Sequence, residues 1–321
     1  MLTSADDGTA YQAVLTAPSN VITSAPAVLM VIDPALPTTW ETTIPFTNGE
    51  YPAEASVLGS NPLAEGGTDG TGTLNLTAAE NGLQGSFVLP DMDNGAPVDG
   101  FVTQFQLMIG NSASGNASNP PADGASFVWT REIISGAFGE GGTGTALIIS
   151  FDTYDNDDGN PDNELGEAPA IEAVWNGDSL GNIRVPRALL ESGTDYRNVI
   201  VRVNSGGTLD VIFGETVLFW HKPLPGYAPI AGGQFGWGAR TGGLNAEQNV
   251  DNIQLSTFAS IPANQPSISF TDSGVNLVVT FDGVLETSTD MINWTPQPTQ
   301  TSPLTVPRAS LTGRLYLRAR K

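Results

Sequence analysis

Residues 146–167 read ALIISFDTYDNDDGNPDNELGE. The first half, ALIISFDTY, is a nearly continuous apolar run, the pattern of a strand covered on both faces. The second half is acidic: Asp152, Asp155, Asp157, Asp158, Asp162, Glu164 and Glu167 fall between positions 151 and 167 with no Lys or Arg among them. Like charges at that density repel one another unless water or a cation neutralises them. Calcium takes about six to eight oxygens from carboxylates, amide and backbone carbonyls and water, and this loop offers every kind. A helix-loop-helix calcium motif is excluded, because counting back from Gly159 puts Tyr154 at the position of the first carboxylate ligand. The plain alternative is a hydrated acidic loop that binds nothing.

The rest of the chain narrows the chemistry around this stretch. Its 321 residues carry 34 acids against 12 bases, a formal charge of -22. Such a surface is a poor ligand for phosphate backbones, so nucleic acid is not an expected partner. With no Cys there is no disulfide framework, thiolate zinc site or cysteine nucleophile, and the only His is His221. A metal must be held by oxygen. The longest apolar run, APAVLMVI at 25–32, is far too short to span a bilayer, and the first residues lack the basic and apolar regions of an export signal. Membrane insertion is not expected, and any export signal lies outside this chain.

Gly, Pro, Asn, Ser and Thr interrupt the sequence at short intervals, which predicts an all-β protein. FVTQFQLMI (101–109) alternates Phe101, Thr103, Phe105, Leu107 and Ile109 onto one face of a half-buried strand. NVIVRVNSGGTLDVIFG (198–214) reads as a hairpin around Ser-Gly-Gly. Only RVPRALLESG (184–193) has a weak helical pattern. These strands fill a middle segment, 38–258, and argue for a two-sheet sandwich. Ahead of it, residues 1–33 read as two strands joined at Ser19-Asn20. The linker SIPANQPS (260–267) precedes a third segment, 267–321, with a hairpin at 267–283 and a closing strand RLYLRAR (314–320). The last fourteen residues hold Arg308, Arg314, Arg318, Arg320 and Lys321, which are either the solvated face of a final strand or a docking tail.

Three resemblances extend this reading. FDTYDN after an apolar strand resembles the legume-type (L-type) lectins and their concanavalin A-like relatives, which implies a concanavalin A-like jelly-roll sandwich. In that family this strand end delivers calcium: Asp152 by its carboxylate, Tyr154 by its backbone carbonyl and Asn156 by its side chain. A fourth ligand falls among Asp158, Asn160 and Asp162, because the loop is about one residue shorter here. The family's neighbouring transition-metal site needs a Glu and a His where this chain has Ser150 and no nearby His, so the resemblance implies calcium alone. NPPADGASFVW (119–129) resembles the family's Ala-Asp-Gly, whose Asp follows a cis peptide and accepts sugar hydroxyls; the matching residue is Asp123. SGAFGEGGTGT (135–145) stands where a Gly-rich loop offers a backbone amide to the sugar, with Gly139 and Gly141 as candidates, and Asn156 serves calcium and sugar together. LNLTAAENGLQGSFVLP (74–90) and GQFGWGARTGGLNAEQNVDNIQL (233–255) resemble the family's early and late strands. DDGTAY (6–11) is similar to the corner of immunoglobulin-like domains, with one extra residue, Tyr11 as the corner tyrosine and Ala13 at a frequent Cys position. That resemblance makes 1–33 the end of a truncated immunoglobulin-like domain in a longer protein. LETSTDMINW (285–294) with Tyr316 and Arg318 resembles a small C-terminal β module of large secreted bacterial proteins.

Sugar recognition needs rigid carboxylate and amide groups plus an aromatic ring against the apolar face of the pyranose. Trp129, Trp175, Trp220, Trp237 and Tyr227 are available, and their Asn-Gly and Pro-Gly neighbours favour Trp175 and Tyr227. His221 follows an apolar run and reads as structural. Arg240 in GARTGG either anchors its loop to an acid such as Asp251 or touches a ligand. Hydrolysis on this sandwich would use Glu-x-Asp-x-x-Glu on one strand face, and no such string occurs; Glu167 and Glu172 fall on opposite faces of a strand. Nucleophile-elbow and Walker motifs are absent too. The sequence thus points to a non-enzymatic, calcium-dependent carbohydrate-binding module, outside the cell or on its surface, with glycans and other modules of the same polypeptide as partners. The alternatives are a structural or adhesive module without a sugar pocket, and an enzyme on the same fold.

Overall fold

The computed structural model describes residues 6–17, 20–24, 27–31, 37–59, 70, 72–112, 121–156, 168–259, 268–272, 274–310 and 314–320. The chain divides into two units, Met1–Ser260 and Ile261–Lys321. In the first, two antiparallel sheets form a sandwich. One has seven strands in the order Asp178–Arg184, Ala170–Trp175, Leu147–Asp152, Gly124–Thr130, Gln234–Arg240, Gln84–Leu89 and Ser56–Gly59. The other runs Thr216–Pro223, Thr208–Phe213, Arg197–Asn204, Pro97–Gly110, Glu247–Ala259 and Thr38–Ile44; Ile230–Ala231 pairs with Pro97–Gly110, and Leu74–Thr77 with Glu247–Ala259.

Alternation does the folding work. Phe101, Phe105, Leu107 and Ile109 turn inward from Pro97–Gly110, while Gln104 faces water. They meet Phe127, Trp129, Phe235 and Trp237 of the facing sheet, with Phe101 edge-on to Trp129 at 5.0 Å between centroids. Burial of this aromatic layer is the main stabilising term. Leu147–Asp152 is covered on both sides as its apolar run requires: Ile149 enters the core, and Ile148 packs outward against Val88, Val128 and Phe138. The weak helical pattern yields only Arg187–Leu190.

The leading segment forms two small pairings, Ala10–Tyr11 with Ala27–Val28 and Val14–Ala17 with Asn20–Thr23. Tyr11, the expected corner tyrosine, is 54% exposed. Asp7 of the same motif instead receives the Arg202 guanidinium at 2.8 and 3.0 Å, and Arg202 also donates to the buried Asp210 at 2.8 Å. His221 sits 3.1 Å from Asp210, which gives it a structural setting. The second unit holds two three-stranded sheets around Val279, Phe281 and Leu285. There Arg318 pairs with the buried Glu286 at 2.6 Å and lies over Trp294 at 4.2 Å, so this cation of the basic terminus belongs to the face of the final strand.

Candidate functional site

Four strands of the seven-stranded sheet end together. Gly124 pairs with Asp152 on one side and with Arg240 on the other, and Arg240 pairs with Gln84. The peptide between Ala122 and Asp123 is cis. Asp123 is tied on both sides by its main chain: its N–H donates to the Arg240 carbonyl at 2.9 Å, and its carbonyl accepts from the Thr153 N–H at 3.1 Å and the Thr153 hydroxyl at 3.0 Å. The Thr of Asp-Thr-Tyr therefore clamps the Asp of Ala-Asp-Gly. Gly124 is required here because its φ is +142° and a Cβ would stand 2.3 Å from the Phe151 carbonyl oxygen.

The Asp123 side chain is 10% exposed, and its carboxylate meets Arg240 Nε at 2.9 Å. A Cβ at Gly242 would fall 3.0 Å from its Oδ2, so any larger residue would crowd the carboxylate. Burial pushes the Asp123 carboxyl above the ordinary aspartate value, against the opposing pull of Arg240 and the Gly242 N–H. Arg240 Nη2 reaches Glu140, whose carboxyl burial also raises. Asp123, Tyr154, Asn156 and the loop Arg240–Leu244 line one cavity of about 430 Å3.

Beside it, Asp152, Tyr154 and Asn156 draw together: the Tyr154 N–H donates to Asp152 Oδ1 at 3.0 Å, and Asn156 Nδ2 to the Tyr154 carbonyl at 3.3 Å. A carboxylate, a carbonyl and an amide are oxygen donors of the kinds calcium takes, so the residue types suit it. Asp158, Asn160 and Asp162 lie outside the described residues, and among the described residues no three Asp, Glu or His side chains cluster for a metal.

Several sequence expectations are relocated. Trp175 is 1% exposed, donates to the Pro225 carbonyl at 2.9 Å, and packs 5.8 Å from Tyr227. It pairs with Leu147 whereas Ala170 of the same strand pairs with Asp152, so five residues, about 17 Å of strand, separate it from the site. Its Asn-Gly turn is at the opposite end of the sheet, and the ring turns into the core because that buries a large apolar surface. Tyr227 goes with it, its hydroxyl pushed up by burial. Neither is a sugar platform at Asp123. Gly139 and Gly141 line a neighbouring cavity rather than that of Asp123. Arg240 binds Asp123 and Glu140, not Asp251. Glu140 was not singled out by sequence reasoning; its signal was to be the one acid in SGAFGEGGTGT.

No protein-family model matches the chain, and no curated protein does. Among solved structures, peanut lectin with a nine-residue peptide is similar over 69% of this chain and 98% of its own, at 18% identity and a TM-score of 0.50. The metal-free form of lectin I-B4 from Griffonia simplicifolia matches over 68% and 99%, at 16% identity and 0.50. The exoplasmic/lumenal domain of VIP36 with calcium and mannose matches over 73% and 98%, at 16% identity and 0.47. At such identities the likeness is one of fold: the chain is an all-β, concanavalin A-like jelly-roll sandwich with small β-rich flanking segments.

Proposed function

We propose that residues 38–258 form a calcium-dependent carbohydrate-binding, lectin-like module of a secreted or cell-surface modular protein. The observation that carries this is the convergence of Asp123 and Asn156 in one cavity, beside the oxygens of Asp152 and Tyr154. A carboxylate and an amide held by main-chain ties are preorganised acceptors and donors for vicinal hydroxyls. Calcium, held by Asp152, Tyr154 and Asn156 with further oxygens from Asp158, Asn160 or Asp162, would fix the Asn156 amide in place. Binding rather than hydrolysis is supported by Arg240, which bridges the two neighbouring carboxylates, Asp123 and Glu140. A glycosidase pair needs that space for the scissile bond. Residues 1–33, as the end of an immunoglobulin-like domain, and 267–321, as a small β module, flank the binder in this reading.

The same Arg240 favours a second reading, because it occupies one of the oxygens that a sugar would use: a structural or adhesive sandwich without a sugar site. A glycan array with and without EDTA, with Asp123→Ala as control, separates the two. The lectin reading expects binding that EDTA and Asp123→Ala each abolish. Binding to no glycan in either condition leaves the structural module; binding indifferent to EDTA removes the calcium mechanism.

A further inference from the structure

The sheet that contains Arg197–Asn204 carries a polar cluster on its outer face, built around a bulge. Val201, Val203, Leu209 and Val211 turn into the core, so Arg202 and Asp210, paired across neighbouring strands, face outward. On the next strand Lys222 pairs with Leu209 and Phe219 with Val211, which leaves both Trp220 and His221 opposite Asp210. His221 takes a φ of +49°, a conformation uncommon outside glycine, and its N–H donates to Asp210 Oδ1 at 2.5 Å. The bulge thus presents two rings. Trp220 lies 5.3 Å over the Arg202 guanidinium, and the His221 imidazole is 4.8 Å from the Trp220 ring.

The leading segment is seated on this cluster. Arg202, 3% exposed, donates to both Asp7 oxygens and to the Val31 carbonyl, and the Val31 N–H donates to Asp7 Oδ1 at 2.7 Å. Gly8, at φ +78°, fits closely, since a Cβ there would stand 2.8 Å from Trp220. Arg202 and Asp210 already neutralise each other on the sandwich, so Asp7 arrives as an excess negative charge. His221 faces both carboxylates: Nε2 is 3.7 Å from Asp7 Oδ2, Nδ1 is 3.1 Å from Asp210 Oδ1, and the side chain is 47% exposed, open to protons from water. Asp6 and Lys222 lie immediately beside, as sequence neighbours of Asp7 and His221. Among these residue types, histidine is the one that changes charge between about pH 5 and 8.

We propose that this joint is a pH-sensitive latch: a proton on His221 supplies the cation that balances Asp7, so the leading segment is held more firmly on the sheet at mildly acidic pH and more loosely above neutrality. Asp7 carries the effect, because Asp210 and His221 both belong to the sandwich and meet whether or not the segment is docked. The Asp7 carboxyl stays charged over this range. Burial opposes its ionisation, but the bonds from Arg202 and the Val31 N–H and the charges of Arg202 and His221 hold it below the ordinary aspartate value. A proton that binds the docked form more tightly than the undocked one favours docking as pH falls. The latch is independent of what the Asp123 cavity binds.

Hydrogen exchange of the full chain tests it. The probes are the amides of Gly8 and Leu29, which donate to the Leu29 and Thr9 carbonyls, and of Val31, with the amides of Gly124–Thr130 as reference. Their protection, corrected for the intrinsic effect of pH, should be about threefold higher at pH 5.5 than at pH 8, the scale of one partly exposed ion pair. His221→Asn, which tolerates the left-handed conformation, should show equal protection at the two pH values. Asp7→Asn should lower protection at both and cancel the difference. Equal protection in wild type, greater protection at pH 8, or a response to pH that survives in His221→Asn or Asp7→Asn overturns the latch.

Discussion

The two ends of the seven-stranded sheet are made from the same strands and differ in what closes them. At one end, Gly124, Asp152 and Arg240 lie in register, and the closure is polar: main-chain hydrogen bonds to Asp123, the Thr153 clamp and an Arg240 bridge between two carboxylates. At the other end, Trp129, Leu147, Trp175 and Phe235 lie in register, and the closure is aromatic, with Trp175 stacked toward Trp129 and Tyr227. The ring-closed end keeps its polar atoms buried, Trp129 Nε1 and the Tyr227 hydroxyl among them, whereas the end closed by ions and amides opens a cavity lined by Asp123, Asn156 and Arg240. Proximity to a turn is therefore not what marks a binding aromatic; which end of the strand the turn occupies decides it.

The largest effect should come from the aromatic end. Trp175→Ala removes a buried ring and its bond to Pro225, and should cost about 3–5 kcal/mol in chemical denaturation. Glycan binding by the folded fraction should be unchanged, and its loss would merge the two ends into one functional surface. At the polar end, Gly124→Ala forces a Cβ against the Phe151 carbonyl at a positive φ. We expect about 1–3 kcal/mol of destabilisation together with loss of sugar binding, read by melting and titration of one sample.

The smallest effect is a pH shift. Asp123 must be ionised to accept two hydroxyls, and burial raises its carboxyl, so the proton returns at a higher pH than for an ordinary aspartate. Binding should thus weaken on acidification before an exposed aspartate would titrate. Arg240 opposes the upward shift, so Arg240→Gln should move the midpoint of the binding profile to still higher pH. An unmoved midpoint would remove Asp123 as the titrating acceptor.

Legibility in the sequence followed locality. Strand alternation at 101–109 and the doubly covered strand at 146–154 were readable, because facing and burial follow from a period of two. The order of motifs, Ala-Asp-Gly, Gly-rich loop, Asp-Thr-Tyr and Thr-Gly loop, carried the resemblance and with it Asp123 and Asn156. The pairing of Arg240 with Glu140 was not readable, because a hundred residues separate them and either cation or acid could have gone elsewhere. Arg240 had Asp251 as an equally plausible partner on paper; only the strand order, with Gly124 between Asp152 and Arg240, rules that choice.

Composition and pattern by themselves determined the β class, the restriction of any metal site to oxygen ligands that absent Cys and a single His impose, and the location of the acidic loop. These depend on residue type and on neighbours within a few positions. The tertiary structure alone decided which turns share an end of the sheet, that Trp175 and Tyr227 are core, and that one guanidinium stands between two cavities. Those outcomes depend on antiparallel register, which brings side chains far apart in sequence to within hydrogen-bonding distance and leaves others, five residues away on the same strand, at the opposite edge of the sandwich.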